Sequence, residues 1–439
     1  MADTIFAPAT APGRAAIGIV RVSGPGAGRA CEALSGAPPP PPRRAGLRLL
    51  RDPRSGEPLD RALLLWFTAP ASYTGEDLLE IHHHGGIAVL SGLLDALSAL
   101  PGLRPAEPGE FSRRAFWNGR FDLTAAEGIA DLIEARTRAQ ARAALSQAEG
   151  ALARACAGWR EALLEAAALL EAEIDFGAEE GDVPEDLAGR VAAMMVPVRA
   201  AILEELERAA CGERLRAGVT VAVIGPPNVG KSSLVNLLAR REVAIVTPLA
   251  GTTRDVLEVD LELGGLPVTL LDTAGLREAG DVIEAEGIRR ARARAEAADL
   301  RLHLVDPETA AAAHEALRPC LFVYNKSDLA PPPPLPEPSL AISCRSGAGI
   351  EALLGWLEAR ARELVAGAGE ALFNRSRHRA ALREAADGLG RALDGLERGD
   401  PALPAEDLRL ALRAIGRITG EVGVEEVLDR IFARFCIGK

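Results

Sequence analysis

Short runs in which apolar and polar residues alternate predict β-strands in the first part of the chain. The clearest are Ala16–Val22 and Arg61–Phe67. Five consecutive prolines, Pro38–Pro42, lie between them and predict a surface loop in polyproline conformation. We therefore predict a mixed α/β domain over residues 1–120.

A helical pattern follows this domain. Apolar residues at three- and four-residue spacing, as in Ala125–Ala135, predict long amphipathic helices. An acidic stretch, Asp175–Pro184, breaks the pattern, which returns in the last seventy or so residues of the chain. The sequence thus predicts one discontinuous helical domain made of residues 121–216 and 369–439.

Residues 217–368 separate the two helical parts. Strand-like runs (VTVAVI, VTLLD, LRLHLVD, CLFVYNKSD and LAISC) alternate there with helical segments. This alternation is typical of a doubly wound, mostly parallel sheet. The predicted fold class is therefore multidomain, α/β and α, with an α/β domain inserted into the helical one.

Charge and cysteine content restrict the function classes. A net charge of -12 argues against generic binding of phosphate backbones, so contact with nucleic acid would need a local basic patch or another protein. The six cysteines form no CxxC pair, which disfavours a zinc ribbon or dithiol centre and fits a reducing compartment. Without a signal-peptide core or an apolar membrane span, the expected location is cytoplasmic.

A phosphate-binding loop lies at the start of the inserted domain. Gly225–Ser232 matches GxxxxGK[ST] between a predicted strand and a predicted helix, which is the context this motif needs. Lys231 is expected to reach the β- and γ-phosphates, and the Ser232 hydroxyl to bind Mg²⁺. The residues predicted to contact the nucleotide here are Gly225, Asn228, Val229, Gly230, Lys231, Ser232 and Ser233.

Two later motifs identify the base as guanine. Asp272-Thr273-Ala274-Gly275 follows an apolar strand and is expected near Mg²⁺ and the γ-phosphate. In the NKxD motif Asn325-Lys326-Ser327-Asp328, the Asp328 carboxylate can accept hydrogen bonds from guanine N1–H and the 2-amino group, which adenine does not offer. Ser343-Cys344-Arg345 occupies the place of the short loop behind the base. The inserted domain is therefore predicted to be a Ras-like G domain that binds GTP.

The group that orients the attacking water is left open by these motifs. Leu276 follows Gly275, where Ras-like proteins commonly have a water-orienting Gln, and leucine cannot hold a water. Four acids downstream are alternatives, among which the residues alone do not decide: Glu278, Asp281, Glu284 and Glu286.

Several segments together resemble the MnmE (TrmE) family of tRNA wobble-uridine modification GTPases, and the resemblance covers essentially the whole chain. The matching segments are Thr4–Thr10, Ile19–Gly24, Gly75–Glu80, His84–Gly86, Pro108–Phe116, Gly251–Asp255 and Phe435–Lys439. The resemblance implies an N-terminal folate-binding and dimerisation domain. It further implies that Arg21, Glu80, Arg120 and Lys439 contact 5-formyl- or methylene-tetrahydrofolate. Without the resemblance, Arg21, Arg120 and Glu80 would be interpreted as surface residues.

The resemblance also implies a potassium ion that bridges the phosphates. Its ligands would be Asn228, Thr247, Leu249 and Thr252, with Thr253 joining Ser232 on Mg²⁺. Glu284 would orient the attacking water. The implied GTP contacts in this loop are Thr247, Pro248, Leu249, Ala250, Gly251, Thr252 and Thr253.

Three further features admit more than one interpretation. Cys436 is either a catalytic thiolate that adds to uridine C6 or a small apolar residue at the end of a helix. His82–His84 alternate faces along a strand, so a shared metal is the less favoured interpretation. Arg113, Arg114 and Arg120 lie near aromatic residues and either contact RNA or serve packing and folate binding.

The resemblance implies a tRNA modification GTPase that forms a homodimer. It would assemble with an MnmG-type flavoprotein, which alone holds FAD, into a heterotetramer that adds a carboxymethylaminomethyl or aminomethyl group at C5 of the wobble uridine of tRNA. No membrane partner is expected. A ribosome-assembly or RNA-binding regulatory GTPase is the first alternative, and a P-loop kinase, disfavoured by the NKxD motif, is the second.

Overall fold

The structure is a computed structural model that describes most of the chain. The described residues are 3–176, 187–241, 243, 258–272, 293, 296–310, 320–368, 371–398, 402–422, 431–432, 435 and 438. They divide into two compact units: residues 1–130, 148–157 and 415–439 form the first, and residues 131–147 and 158–414 form the second. The four segment boundaries predicted from the sequence stay predictions.

A six-stranded sheet organises the first unit. Its strands are β1 (Thr4–Pro8), β2 (Ile17–Ser23), β3 (Gly46–Arg51), β4 (Pro58–Phe67), β5 (Leu78–His84) and β6 (Leu103–Pro105). The spatial order is β3-β4-β5-β2-β1-β6, antiparallel except for the parallel β1–β6 pair. The two strands predicted from alternation are confirmed as β2 and β4.

The two faces of this sheet differ in chemistry. Helices α1 (Ala27–Ser35) and α2 (Ile87–Ser98) cover one face, where Val22, Trp66 and Ile81 belong to their shared core. Each large side chain buried there contributes roughly 1.5–3 kcal/mol. Side chains alternate along a strand, so the intervening residues Arg21 and Glu80 lie on the opposite face. Helix α3 (Glu110–Trp117) contributes Phe111 to a smaller core with Ile5 and Ala7.

A second six-stranded sheet lies in the second unit. Its strands are β7 (Val219–Ile224), β8 (Glu258–Leu263), β9 (Leu266–Asp272), β10 (Leu300–Val305), β11 (Cys320–Tyr324) and β12 (Ser339–Ala341). The order β12-β11-β10-β7-β9-β8 is parallel except for the antiparallel β8–β9 hairpin. The predicted mostly parallel doubly wound sheet is confirmed. The hairpin turns at Gly264-Gly265, both with positive φ (57° and 83°), a turn sequence that could have identified β8.

Helices α8 (Lys231–Ala239) and α9 (Ile350–Leu364) supply core residues to this sheet, including Leu234, Leu238, Leu353 and Leu357. The other helices are α4 (Leu123–Glu134), α5 (Arg138–Ala148), α6 (Ala151–Phe176), α7 (Leu187–Ala217), α10 (Ser376–Leu396) and α11 (Ala402–Thr419). Helix α6 ends where the acidic break was predicted. Within the described residues, no helix is long and apolar enough to cross a membrane.

Polar contacts fasten the end of α7 to the sheet of the second unit. Asp299, directly before β10, accepts a hydrogen bond from Arg214 Nε at 2.9 Å. The same carboxylate accepts from the amide and hydroxyl of Thr220 at the start of β7, at 3.0 and 2.9 Å. These contacts lie at the amino edge of the parallel strands, opposite the edge at which ligands bind in doubly wound folds.

Candidate nucleotide and folate sites

The phosphate loop, residues 225–232, needs glycine at two positions for steric reasons. Gly225 has φ +145°, and a Cβ there would collide with the carbonyl of Leu304. Gly230 has φ +99°, and a Cβ there would collide with the side-chain amide of Asn325. Helix α8 begins directly after Gly230, so its first N–H groups and its dipole face the loop. The backbone is therefore shaped to hold an anion.

The polar residues of this loop differ in their exposure and contacts. Lys231 is buried, and its Nζ donates to the carbonyls of Gly225 at 2.9 Å and Pro226 at 2.8 Å, across the mouth of the loop. Asn228 adopts φ +63°, a left-handed conformation that asparagine tolerates better than most residues, and its side chain is exposed. Ser232 is half-buried and Ser233 exposed.

Asp272 ends β9 next to the phosphate loop. It pairs in register with Val223 of β7 and is 3% exposed. The carboxylate therefore reaches the same sheet edge as the loop, and its place near Mg²⁺ stays a prediction.

The Asn325 side chain joins the phosphate loop to the loop predicted to lie behind the base. Its Nδ2 donates to the carbonyl of Val229 at 2.8 Å, and its Oδ1 accepts from the amide of Cys344 at 3.2 Å. Asn325 is 3% exposed, so both bonds are shielded from water. The amide thus holds the backbones of both loops in one arrangement.

Asp328, the predicted guanine reader, is exposed and oriented by Ser343. Its Oδ1 accepts a hydrogen bond from Ser343 Oγ at 2.6 Å, and this bond holds the pKa of Asp328 below its usual value. Ser343 Oγ accepts in turn from the amide of Ser346 at 3.1 Å. The carboxylate is therefore ionised at neutral pH and can accept two N–H donors. Arg345 is exposed nearby.

Cys344 replaces the alanine usual in this loop. Burial raises the pKa of its thiol to about 11, so the side chain stays neutral and acts as a small apolar residue.

Asp306, which the sequence analysis did not single out, bonds to the second residue of the NKxD motif. Lys326 has φ +64°, and its Nζ donates to Asp306 Oδ2 at 2.6 Å. Asp306 directly follows the apolar strand β10 and is 3% exposed. Asp272 was predicted as a site residue because it is an acid at the carboxyl end of an apolar strand. The same criterion would have identified Asp306.

In the first unit, Arg21 and Glu80 lie opposite each other on β2 and β5. Arg21 Nε donates to Glu80 Oε1 at 2.9 Å, and the two side chains are only 23% and 15% exposed. The Arg21 guanidinium lies 5.4 Å from the centre of the Tyr73 ring, whose hydroxyl bonds to Ser112 Oγ at 2.8 Å. An arginine, a carboxylate and an aromatic ring thus meet on one patch of the sheet.

Arg120, also predicted to contact folate, is exposed and packs on the same loop that carries Tyr73. Its stem lies beside Gly75, where a Cβ would come within 3.3 Å of Arg120 Cδ. Gly438, the neighbour of Lys439, lies against the carbonyl of Pro8 at the end of β1. Predicted site residues outside the described part of the chain are Thr247, Pro248, Leu249, Ala250, Gly251, Thr252, Thr253, Thr273, Ala274, Gly275, Glu284, Cys436 and Lys439.

The three histidines of β5 have separate environments. His82 Nε2 lies 3.3 Å from Glu80 Oε2, His83 is buried, and His84 Nδ1 lies 2.8 Å from Asp60 Oδ1. Within the described ranges, no cluster of three His, Cys, Asp or Glu side chains is arranged to hold a metal ion.

Arg114 forms ion pairs with three acidic residues. It donates to Asp3 at 2.7 Å, Glu110 at 2.9 Å and Glu76 at 3.2 Å. Its side chain is only 14% exposed, which favours packing over RNA contact for this residue. Arg113 lies 5.9 Å from the ring of Phe432.

Two family models and several full-length relatives match this chain. The model of the GTP-binding protein TrmE N-terminus matches residues 4–120, and that of the MnmE helical domain matches residues 123–436. The tRNA modification GTPase MnmE of Methylobacterium sp. (strain 4-46) is 54% identical over 442 residues and aligns over 100% of both chains. The protein of the same name from Methylorubrum populi is 54% identical, over 100% of this chain and 98% of the relative. That from Rhodospirillum rubrum is 53% identical, over 100% and 99%.

Proposed function

The chain belongs to the MnmE family of tRNA modification GTPases, and on this basis we propose that it uses GTP hydrolysis to drive modification of the wobble uridine, position 34, of certain tRNAs. An MnmG-type flavoprotein that holds FAD is its partner, and the group added at C5 is carboxymethylaminomethyl or aminomethyl. The reaction takes place in the cytoplasm, where its tRNA substrate is found.

One observation carries the nucleotide part of this proposal. The Asn325 side chain bonds to both the phosphate loop and the loop behind the base, and Ser343 of that second loop bonds to Asp328. Phosphate binding and guanine recognition are therefore built on one hydrogen-bonded frame. The Asp328 carboxylate disfavours adenine, because adenine offers neither the N1–H nor the 2-amino donor.

The residues of the phosphate loop fit a magnesium-dependent hydrolysis. Mg²⁺ prefers hard oxygen ligands, and the Ser232 hydroxyl and the buried Asp272 carboxylate supply oxygens at this edge, with Thr253 proposed as a further ligand. Lys231 neutralises phosphate charge as the terminal bond breaks. Glu284 orients the attacking water.

Potassium stimulation is part of the proposal. When bound, K⁺ supplies positive charge where other GTPases use an arginine. Asn228 is exposed on the loop, so its side chain is accessible to such an ion. Thr247, Leu249 and Thr252 complete the proposed ligand set. GTP hydrolysis that is equally fast in sodium and potassium would contradict this assignment.

The patch around Arg21 fits a tetrahydrofolate. The Glu80 carboxylate can accept the N–H donors of a pterin ring, Arg21 holds that carboxylate in place, and Tyr73 offers an aromatic surface. Arg120 and Lys439 are further proposed contacts. When bound, the folate supplies the one-carbon unit. Arg21→Ala should weaken 5-formyl-tetrahydrofolate binding at least about tenfold; Arg61→Ala, an exposed arginine on neighbouring β4, should not.

We propose that a second copy of the chain covers the exposed apolar part of the same sheet face. Ile17 is 61% exposed and Leu47 59%, and Leu49 and Leu63 are also exposed. The strand register places them with Arg21 and Glu80 on the face away from α1 and α2. Leu47→Asp should give a monomer in sedimentation analysis, whereas Leu329→Asp, at an exposed leucine of the second unit, should leave the dimer intact.

The decisive test combines chemistry and base specificity. The full chain, its flavoprotein partner, tRNA, methylene-tetrahydrofolate, a nitrogen donor (ammonium or glycine) and GTP should yield modified uridine detectable by nucleoside mass spectrometry. A non-hydrolysable GTP analogue in place of GTP should not. Asp328→Asn should lose GTP activity and gain activity with XTP, because an amide matches the donor and acceptor of xanthine.

Normal tRNA nucleosides in a deletion strain would favour the ribosome-assembly alternative. Full modification by Cys436→Ser would make the thiol non-catalytic.

A further inference from the structure

Asp306 has the geometry of a rigid anchor. Its Oδ1 accepts from the hydroxyl of Thr309 at 2.8 Å and from the amides of Thr309 and Glu308, both at 3.2 Å. Its own amide donates back to Thr309 Oγ1 at 3.0 Å. Oδ2 is left to accept Lys326 Nζ at 2.6 Å. The carboxylate is 4% exposed and cannot rotate without breaking several of these bonds.

The residue that Asp306 holds, Lys326, belongs to the NKxD motif that recognises guanine. Lys326 stands between Asn325, which bonds to the phosphate loop, and Ser327, whose amide donates to the carbonyl of Ile342 at 3.1 Å. Its side chain is 35% exposed, against 4% for Asp306. A lysine side chain otherwise has four freely rotating bonds and, two residues from Asp328, could pair with the carboxylate that reads guanine.

We propose that Asp306 is a positioning residue for guanine-nucleotide binding: it fixes the Lys326 ammonium and so keeps the lysine stem in place and Asp328 available for the base. The inference deepens the proposed GTP site and rests on it. Asp306 acts through Lys326, so its effect should disappear when the lysine cannot pair. Burial raises the pKa of Asp306, but the bonds from Lys326 and Thr309 outweigh it and hold the pKa below its usual value, so the anchor is charged at neutral pH.

The same strand offers a matched control. Asp299 precedes β10 and is half-buried, and Asp306 follows β10 and is buried. Each carboxylate pairs with one cationic side chain and one threonine. Only Asp306 lies at the edge that carries the nucleotide motifs. Asp299→Asn and Asp306→Asn therefore remove similar interactions from opposite ends of one strand.

The experiment measures GDP binding by calorimetry in the presence of Mg²⁺, together with urea unfolding, for the full chain and its variants. Asp306→Asn should weaken GDP binding by about fivefold to twentyfold, and Asp299→Asn by less than about twofold, although both lower the unfolding midpoint. Lys326→Met should weaken binding as well, and the double variant Asp306→Asn/Lys326→Met should bind no more weakly than Lys326→Met alone.

Two results would overturn the inference. One is near-normal GDP binding by Asp306→Asn, or by Lys326→Met should the first variant not fold. The other is additive losses in the double variant. Failure of the unmodified chain to bind GDP would instead remove the proposed function itself, so the two failures are distinguishable.

Discussion

Replacing Asn325 by alanine removes the two hydrogen bonds that hold the phosphate loop to the loop behind the base. The Val229 carbonyl and the Cys344 amide each lose a partner in a site where Asn325 is 3% exposed. A buried polar group left unpaired costs about 1–3 kcal/mol, so the variant should lose roughly 2–4 kcal/mol of loop stability. Each 1.4 kcal/mol corresponds to about tenfold in affinity, so a loss of about 2–4 kcal/mol should weaken GDP binding by about thirtyfold to several hundredfold.

Asn374→Ala is the control for this prediction. Asn374 is a buried asparagine of the same unit whose Nδ2 donates to Gln147 Oε1 at 3.0 Å, between helical segments. Its loss should lower the urea midpoint but change GDP affinity by less than about threefold. Titration calorimetry at constant Mg²⁺ measures both affinities. If both variants destabilise the protein equally and Asn325→Ala still binds GDP normally, the frame does not pre-organise the site.

Two further predictions concern the first unit. Burial raises the pKa of Glu110, but hydrogen bonds from its two arginine partners outweigh it and leave the pKa below its usual value. These ion pairs therefore stabilise the fold above about pH 4.3, the unfolded pKa, and this stability is lost as pH falls through the folded pKa. Urea unfolding between pH 6 and 3 should show that the advantage over Glu110→Gln decreases as the pH falls. Gly109→Ala should lower the free energy of unfolding more than Gly102→Ala does. A Cβ at Gly109 collides with the Phe432 carbonyl, whereas no atom lies near a Cβ at Gly102, so the Gly102 variant loses only about 1 kcal/mol for its positive φ. Equal unfolding free energies for these two variants would mean that the Phe432 contact does not matter.

The nucleotide site could be predicted from the sequence because its chemistry is local. Gly225, Lys231 and Asp328 stand in motifs whose backbone geometry demands those residue types, and the strands before them are continuous apolar runs. The parallel sheet followed from the same alternation. Edge strand β8 was missed because the strands of this domain were predicted from continuous apolar runs, whereas its residues alternate between polar and apolar.

Contacts between distant segments could not be predicted in the same way. Lys326 and Asp306 are 20 residues apart, and neither segment contains a sequence pattern that identifies the other as its partner. Arg114 and Asp3 are 111 residues apart. Such pairs depend on how strands are ordered in a sheet, which propensity and periodicity do not encode. The role proposed for Arg21 and Glu80 likewise rests on family resemblance; the structure adds that they face each other on β2 and β5.

The packing of late residues in the first unit has a consequence for biosynthesis. Phe432 and Phe435 cluster with Leu123 and Ala126, and Gly438 rests on Pro8 of the opening strand. A ribosome delivers these segments hundreds of residues apart, so the first unit must wait, with apolar surface uncovered, while the whole second unit is translated. Chaperones should therefore bind the N-terminal part of the nascent chain. Premature stop codons within the last ten codons should yield aggregation-prone polypeptides, although their G domain is intact.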